Sequence, residues 1–98
     1  MIIRDIPEPA TVVAARDLLA SEFGDEIVVL NLRGGVYYGL EGVGVYVWKL
    51  LKEPISVRAI RDAVVAEFDV APGRCERDIR AFLLELAVKG LVEIRESA

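Results

Sequence analysis

The run Glu26-Ile27-Val28-Val29-Leu30-Asn31-Leu32, then Arg33-Gly34-Gly35, then Val36-Tyr37-Tyr38-Gly39-Leu40 leaves the centre of this chain little conformational choice. β-Branched and aromatic side chains favour extended backbone in both arms, and the paired glycines accept the positive φ that a tight reversal needs. A hairpin is predicted. Period-two geometry places Val28, Leu30 and Leu32 on one face of the first arm, and Val36, Tyr38 and Leu40 on one face of the second; these are the expected inward sets. Ile27 and Val29 fall on the opposite face, so that face is either partly covered or awaits a partner.

Upstream, after a polar start broken by Pro7 and Pro9, residues 11–16 are β-branched enough for a first strand, and residues 17–24 lead away from it. Downstream the period changes. Val43, Val47, Leu50 and Leu51 follow helical spacing beside Trp48, which predicts a first helix over residues 42–52 that Pro54 prevents from continuing. Ser56 is placed to cap a second helix with the apolar stripe Val57, Ile60, Val64 and Phe68. Pro72 suits the first turn of a third helix, Cys75, Ile79, Phe82, Leu83 and Leu86 recur at spacings of three and four, and Gly90 stands where a left-handed cap is expected. Leu91-Val92-Glu93-Ile94 then reads as a short extended segment packing back on the domain.

Three strands followed by three helices make an α+β domain whose helices cover one face of a three-stranded antiparallel sheet. With 98 residues, 54% of them hydrophobic, the chain supports one core, and one domain over residues 1–98 with an ordered part of about residues 11–95 is expected.

Composition excludes several function classes. The chain has no histidine and a single cysteine, Cys75, so it has neither an internal disulfide nor the usual zinc ligand sets, and no cofactor or metal is expected. The same absence removes the Ser-His and Cys-His pairs that commonly activate a nucleophile near neutral pH, which argues against an enzyme. Cys75 lacks a basic partner and lies on an apolar helix stripe, so it reads as a small core residue rather than a catalytic thiol. Gly34-Gly35 lacks the Lys and Ser/Thr of a phosphate loop and leads into no helix. A net charge of −4 opposes general attraction to a phosphate backbone. No apolar run approaches the roughly 20 residues of a membrane helix, and residues 1–5 lack a signal-peptide pattern, so a cytoplasmic location is expected.

The opening for function is an edge. A three-stranded meander leaves backbone N–H and C=O groups unpaired along its outer strands, and such an edge is either shielded or receives a strand from another chain.

Taken in order, Leu30-Asn31-Leu32 before Gly35, Tyr37-Tyr38-Gly39-Leu40, Gly44, Val47-Trp48, Leu50-Leu51, Asp78-Ile79, Phe82-Leu83, Leu86 and Gly90-Leu91-Val92 resemble the PqqD-like family. These are the RiPP recognition elements, named for the D protein of pyrroloquinoline quinone biosynthesis. The resemblance runs over residues 12–94, and Glu41 departs from it where many relatives carry Asn. It implies a winged-helix-turn-helix-like fold and non-catalytic binding of the leader segment of a ribosomally made precursor peptide. The leader is then expected as an extra strand antiparallel to the third strand, in a cleft walled by the third helix. Stand-alone length, the Tyr37-Tyr38 pair and Trp48 resemble the leader-binding subunit of lasso-peptide clusters. This implies a transglutaminase-like cysteine protease as partner and, through it, an asparagine-synthetase-like cyclase.

On this view the backbone of Val36, Tyr37, Tyr38, Gly39 and Leu40 supplies a hydrogen-bond ladder. Cys75, Ile79, Phe82 and Leu83 line an apolar pocket for aromatic or proline anchors; each of the four is equally readable as ordinary core. Asp78 and Arg80 lie near that helix face, and Arg33, Arg74 and Arg77 either guide a leader at the rim or are simply solvated. Two alternatives stand beside the leader-binding reading: a PqqD-type chaperone serving a radical SAM enzyme, and a winged-helix DNA-binding protein using Arg74, Arg77 and Arg80. Glu76, Asp78 and Glu85 dilute that basic stripe.

Overall fold

A computed structural model describes residues 6, 7 and 10–96; residues 1–5, on which the signal-peptide expectation rests, lie outside them. The elements run β1 (Thr11–Ala14), β2 (Leu18–Phe23), β3 (Glu26–Asn31), β4 (Val36–Leu40), α1 (Val43–Leu50), β5 (Ile55–Ser56), α2 (Val57–Glu67), α3 (Pro72–Val88) and β6 (Val92–Arg95). An antiparallel sheet in the order β2-β3-β4 and three helices give the expected α+β architecture. A second small sheet, in the order β5-β1-β6, was not anticipated as such. It takes up the extended segment expected after Gly90, because Ala14 pairs with Val92 and Thr11 with Arg95.

The first strand and its sequel correct the sequence expectation. The strand predicted over residues 11–16 ends at Ala14 and belongs to the second sheet. The predicted connection over residues 17–24 is instead largely β2, paired with β3 from Leu18 opposite Asn31 to Phe23 opposite Glu26. Asp17, with φ 60°, makes the turn between the two, a conformation that Asp tolerates better than most residues. Leu18-Leu19-Ala20-Ser21-Glu22-Phe23 contains no β-branched residue, so the strand is set by pairing with β3 rather than by local propensity.

The hairpin forms as predicted, but one of the two inward sets is reversed. Asn31 stands opposite Val36, so the β3–β4 connection consists of Leu32, Arg33, Gly34 and Gly35, one residue more than the Arg-Gly-Gly turn implied. The added residue shifts the register by one, and a shift of one turns every side chain over. Ile27 and Val29 therefore face the helices and are buried, while Val28 and Leu30 face outward and Leu32 is exposed. On β4 the expected set keeps its side: Leu40 is buried, Tyr38 half-buried and Val36 exposed near the open end.

The helices follow their local signals. Ser56 Oγ accepts the Ala59 N–H at 3.1 Å, capping α2, and Pro72 occupies the first turn of α3. Gly90 takes φ 74° after α3, and the returning Leu91 N–H donates to the Leu86 carbonyl at 2.9 Å. Val12, Val29, Val47, Leu51, Ile60, Val64, Leu83, Leu86 and Leu91 make up the most deeply buried part of one core shared by both sheets and all three helices. Among the described residues no helix is long and apolar enough to cross a membrane.

Candidate functional site

In the order β2-β3-β4, the strand β4 pairs with β3 on one side and carries no strand on the other among the described residues. Beside it lies a cleft of about 320 Å³. One wall is Tyr38, Gly39 and Leu40 of β4, a second is Asp78, Ile79 and Phe82 of α3, and the end is closed by Glu41 with Val43, Gly44 and Val47 of α1. The lining is chiefly apolar, with the carboxylates of Glu41 and Asp78 as its charged members.

The spacing on α3 produces its wall. Residues 75, 79, 82, 83 and 86 fall on the inward side of the helix. Of these, Cys75, Ile79, Leu83 and Leu86 are buried and Phe82 is partly open. Asp78, one turn before Phe82, reaches the rim, and Arg74 approaches it at 3.9 Å.

The gap between β4 and α3 is held from the far end. Tyr38 Oη donates to Glu85 Oε2 at 2.9 Å, and Lys89 Nζ lies 5.6 Å from the centre of the Tyr38 ring. Partial burial, and secondarily the bond to Glu85, hold the Tyr38 phenol above the ordinary tyrosine range. Asn31 Nδ2 donates to the Lys89 carbonyl at 3.2 Å, while its Oδ1 accepts the Arg33 N–H at 3.0 Å. One side chain thus shapes the hairpin loop and ties it to the end of α3.

The predicted site residues divide into four groups. Tyr38, Gly39, Leu40, Asp78, Ile79 and Phe82 come together in the cleft. Val36 and Tyr37 lie on the same strand and are exposed, Tyr37 on the face turned away from the helices. Cys75 and Leu83 are buried behind the α3 wall rather than lining it, and burial pushes the Cys75 thiol upward. Arg33 sits in the hairpin loop, with Nε 3.3 Å from Asp17. Of the three arginines on α3, Arg80 donates to Glu76 and to the Ile6 carbonyl, and Arg74 faces Asp78, so much of the positive charge is already matched.

Sequence reasoning missed the contribution of α1. The available signal was Gly44, because a glycine inside a short helix weakens it by roughly 1 kcal/mol unless its small size is needed. A Cβ at Gly44 would meet the Phe82 ring at 3.5 Å and Leu40 at 3.8 Å, on the floor of the cleft.

The sequence profile of the family described as Coenzyme PQQ synthesis protein D (PqqD) matches residues 26–92, more than half of the chain. No curated protein matches the sequence. Among solved structures, "TbiB1 in Complex with the TbiA(beta) Leader Peptide" is 40% identical with a TM-score of 0.77, the match covering 83% of this chain and 94% of that one. "Lasso peptide synthetase B1 complexed with the leader peptide" shares the fold at 21% identity and a TM-score of 0.74, the match covering 84% of this chain and 96% of that one.

Proposed function

The chain belongs to the PqqD family, and from that premise we propose that it captures the leader segment of a ribosomally made precursor peptide of the lasso type. The peptide pairs with the free edge of β4 and inserts its bulky groups into the cleft between β4, α1 and α3. The observation that carries this reading is the juxtaposition itself: an edge of β4 that pairs with no strand among the described residues runs along the mouth of an apolar cleft. The 40% identity to a protein solved with a leader peptide supports it.

Affinity and selectivity come from different groups. Each ladder hydrogen bond contributes only about 1 kcal/mol net and is blind to sequence, so it does not by itself offset the ordering of a flexible peptide. Desolvating one or two apolar anchors against Leu40, Ile79 and Phe82 adds both strength and discrimination. The domain performs no bond chemistry: it has no histidine, and its one thiol is buried. Its role is to raise the local concentration of precursor at a transglutaminase-like leader peptidase and, through it, at a cyclase.

Titration of the fluorescently labelled leader of the cognate precursor tests the proposal. Saturable binding at about micromolar concentration or tighter is expected. Phe82→Ala and Ile79→Asp weaken it by about tenfold or more, whereas Arg58→Ala on α2 leaves it unchanged. A folded wild-type protein that shows no saturation would overturn the proposal.

A further inference from the structure

The cleft beside β4 is uneven in charge along its length. At one end Tyr38 Oη donates to Glu85, and Lys89 Nζ lies 5.6 Å from the centre of the Tyr38 ring, so an acid and a base stand together there and offset each other. At the other end, where β4 runs into α1, Glu41 and Asp78 line the cleft and no basic side chain does. The two walls pass in opposite senses. Glu85 meets Tyr38, Phe82 and Leu40 flank Gly44, and Asp78, one turn further back on α3, reaches the end that holds Glu41.

The two carboxylates are not equivalent. Arg74 Nε approaches Asp78 Oδ2 at 3.9 Å and supplies part of its counter-charge. Glu41 is exposed and pairs with no basic side chain among the described residues. Glu41 directly precedes Gly42, the N-cap of α1, where the helix dipole favours an acid. The dipole does not explain why the acid lines a chiefly apolar cleft, and the charge belongs to this chain rather than to the family pattern, from which Glu41 departs.

Direction turns this asymmetry into a rule of recognition. A strand added to β4 in the antiparallel sense of β3 runs from the Leu40 end toward the Val36 end, so the N-terminal part of the peptide lies at the acidic end. Its side chains opposite Tyr38 and Leu40 point into the cleft, where Ile79 and Phe82 receive apolar groups. The next side chain of that row, nearer the N-terminus of the peptide, falls toward Glu41 and Asp78. A long side chain with a cationic head suits that place, because its stem packs along the apolar wall while the head stays hydrated between two carboxylates.

We infer that Glu41, assisted by Asp78, selects precursor peptides that carry a lysine or arginine on the N-terminal side of their apolar anchors. The inference rests on the leader-binding reading and names the class of leader captured. Glu41 is a specificity residue: the ladder and the apolar cleft hold a peptide without it, and it discriminates among peptides that fill them equally well. An acidic side chain at the same place is repelled, and the net charge of −4 adds to the repulsion.

Synthetic leaders test this, acetylated at the N-terminus so that only side chains carry positive charge, and labelled at the C-terminus. The probes are the cognate sequence, versions with the basic residue nearest the anchors replaced by glutamine or glutamate, and one with that residue moved to the C-terminal side of the anchors. Each is titrated at low and high salt against wild type, Glu41→Gln, Glu41→Lys and Glu53→Gln; Glu53 is exposed and lies past the other end of α1. For wild type at low salt, the glutamine and relocated leaders are expected to bind about threefold more weakly and the glutamate leader about tenfold, with both differences shrinking at high salt. Glu41→Gln loses most of this preference, Glu41→Lys reverses it, and Glu53→Gln behaves as wild type.

A cognate leader with no lysine or arginine within about four residues before its anchors would overturn the inference while leaving leader capture standing. So would a charge preference that survives in Glu41→Gln, or an equal benefit from the basic residue on either side of the anchors. If Glu41 serves only the N-terminus of α1, its variants lose thermal stability and weaken every leader alike, which also overturns the inference. Wild-type protein that binds no leader would overturn the underlying reading instead.

Discussion

Tyr38 of β4 donates its hydroxyl proton to Glu85 of α3 at 2.9 Å, joining the strand that forms one wall of the cleft to the helix that forms the opposite wall. The bond lies between residues 47 positions apart in sequence, so it fixes tertiary geometry rather than local conformation. Burial, then the hydrogen bond and charge of Glu85, favour the neutral phenol and raise its pKa. A raised pKa of an acid means that the folded chain binds its proton more tightly than the unfolded chain does. The associated stability is fully present below the unfolded tyrosine value, near 10, and is lost as pH climbs through the folded value. Phenolate absorbance in an alkaline titration is therefore expected to show a late phase. Tyr38→Phe removes that phase and lowers stability by about 1 kcal/mol or less, and Glu85→Gln shifts it downward while keeping an acceptor. A late phase that persists in Tyr38→Phe would assign it to another tyrosine.

Gly90 is constrained twice. Its φ of 74° is strained for any residue with a side chain, and a Cβ there would stand 2.9 Å from Asn31 Nδ2, the atom that donates to the Lys89 carbonyl. Gly90→Ala is expected to cost about 2 kcal/mol, from the left-handed backbone together with displacement of the Asn31 amide. Asn31→Ala alone should cost about 1 kcal/mol. With Asn31 already removed the steric part disappears, so the double variant loses less than the sum of the two. Urea unfolding of the four proteins measures the coupling, and strict additivity would show that the two sites do not meet.

The elements that could be read from sequence are those specified by nearby chemistry. Ser56, Pro72 and Gly90 mark helix ends through groups within a turn of themselves, and Val36 to Leu40 announces its strand by propensity. What was missed depends on distant pairing. β2 forms from Leu18 to Phe23 because β3 lies beside it, and the inward face of β3 depends on whether the loop counts Leu32, which propensity does not decide. The cleft divides in the same way. Asp78, Ile79 and Phe82 share it because helical spacing groups them, whereas Glu41, Val43, Gly44 and Val47 enter through the angle at which α1 leaves β4. Cys75 and Leu83 carry the same spacing as Ile79 and Phe82, and only packing reveals that they lie behind the wall.

The position of Cys75 has a chemical consequence. Its thiol is buried, and desolvation, with a smaller contribution from Asp78, holds it above the ordinary cysteine range, so little thiolate exists near neutral pH. A disulfide-exchange reagent is expected to react slowly with the native chain and rapidly in urea. Because the side chain does not line the cleft, Cys75→Ala should leave leader affinity within about twofold of wild type while costing roughly 1 kcal/mol through a small cavity. Fast native labelling, or a tenfold loss of binding in Cys75→Ala, would place the thiol in the cleft after all.

Gly44 offers the most direct test of whether the cleft is the binding site, because the position can be filled without disturbing the core. A Cβ there makes only ordinary contacts, at 3.5 Å to Phe82 and 3.8 Å to Leu40, and Gly44 lines the open cavity. Gly44→Ala is therefore expected to fold normally, with up to about 1 kcal/mol gained from helix propensity and little change in binding. Gly44→Leu places a branched side chain where an anchor of the peptide would lie, in a volume of about 320 Å³ that has room for it. Thermal stability should stay near wild type while leader affinity falls by about tenfold or more, since the anchor loses its desolvated pocket but the strand edge remains free to pair. The separation of the two readouts is informative: loss of both stability and binding would mean that the cleft is too tight to accept the leucine. Retention of both would mean that the peptide is held by the β4 edge alone, or elsewhere.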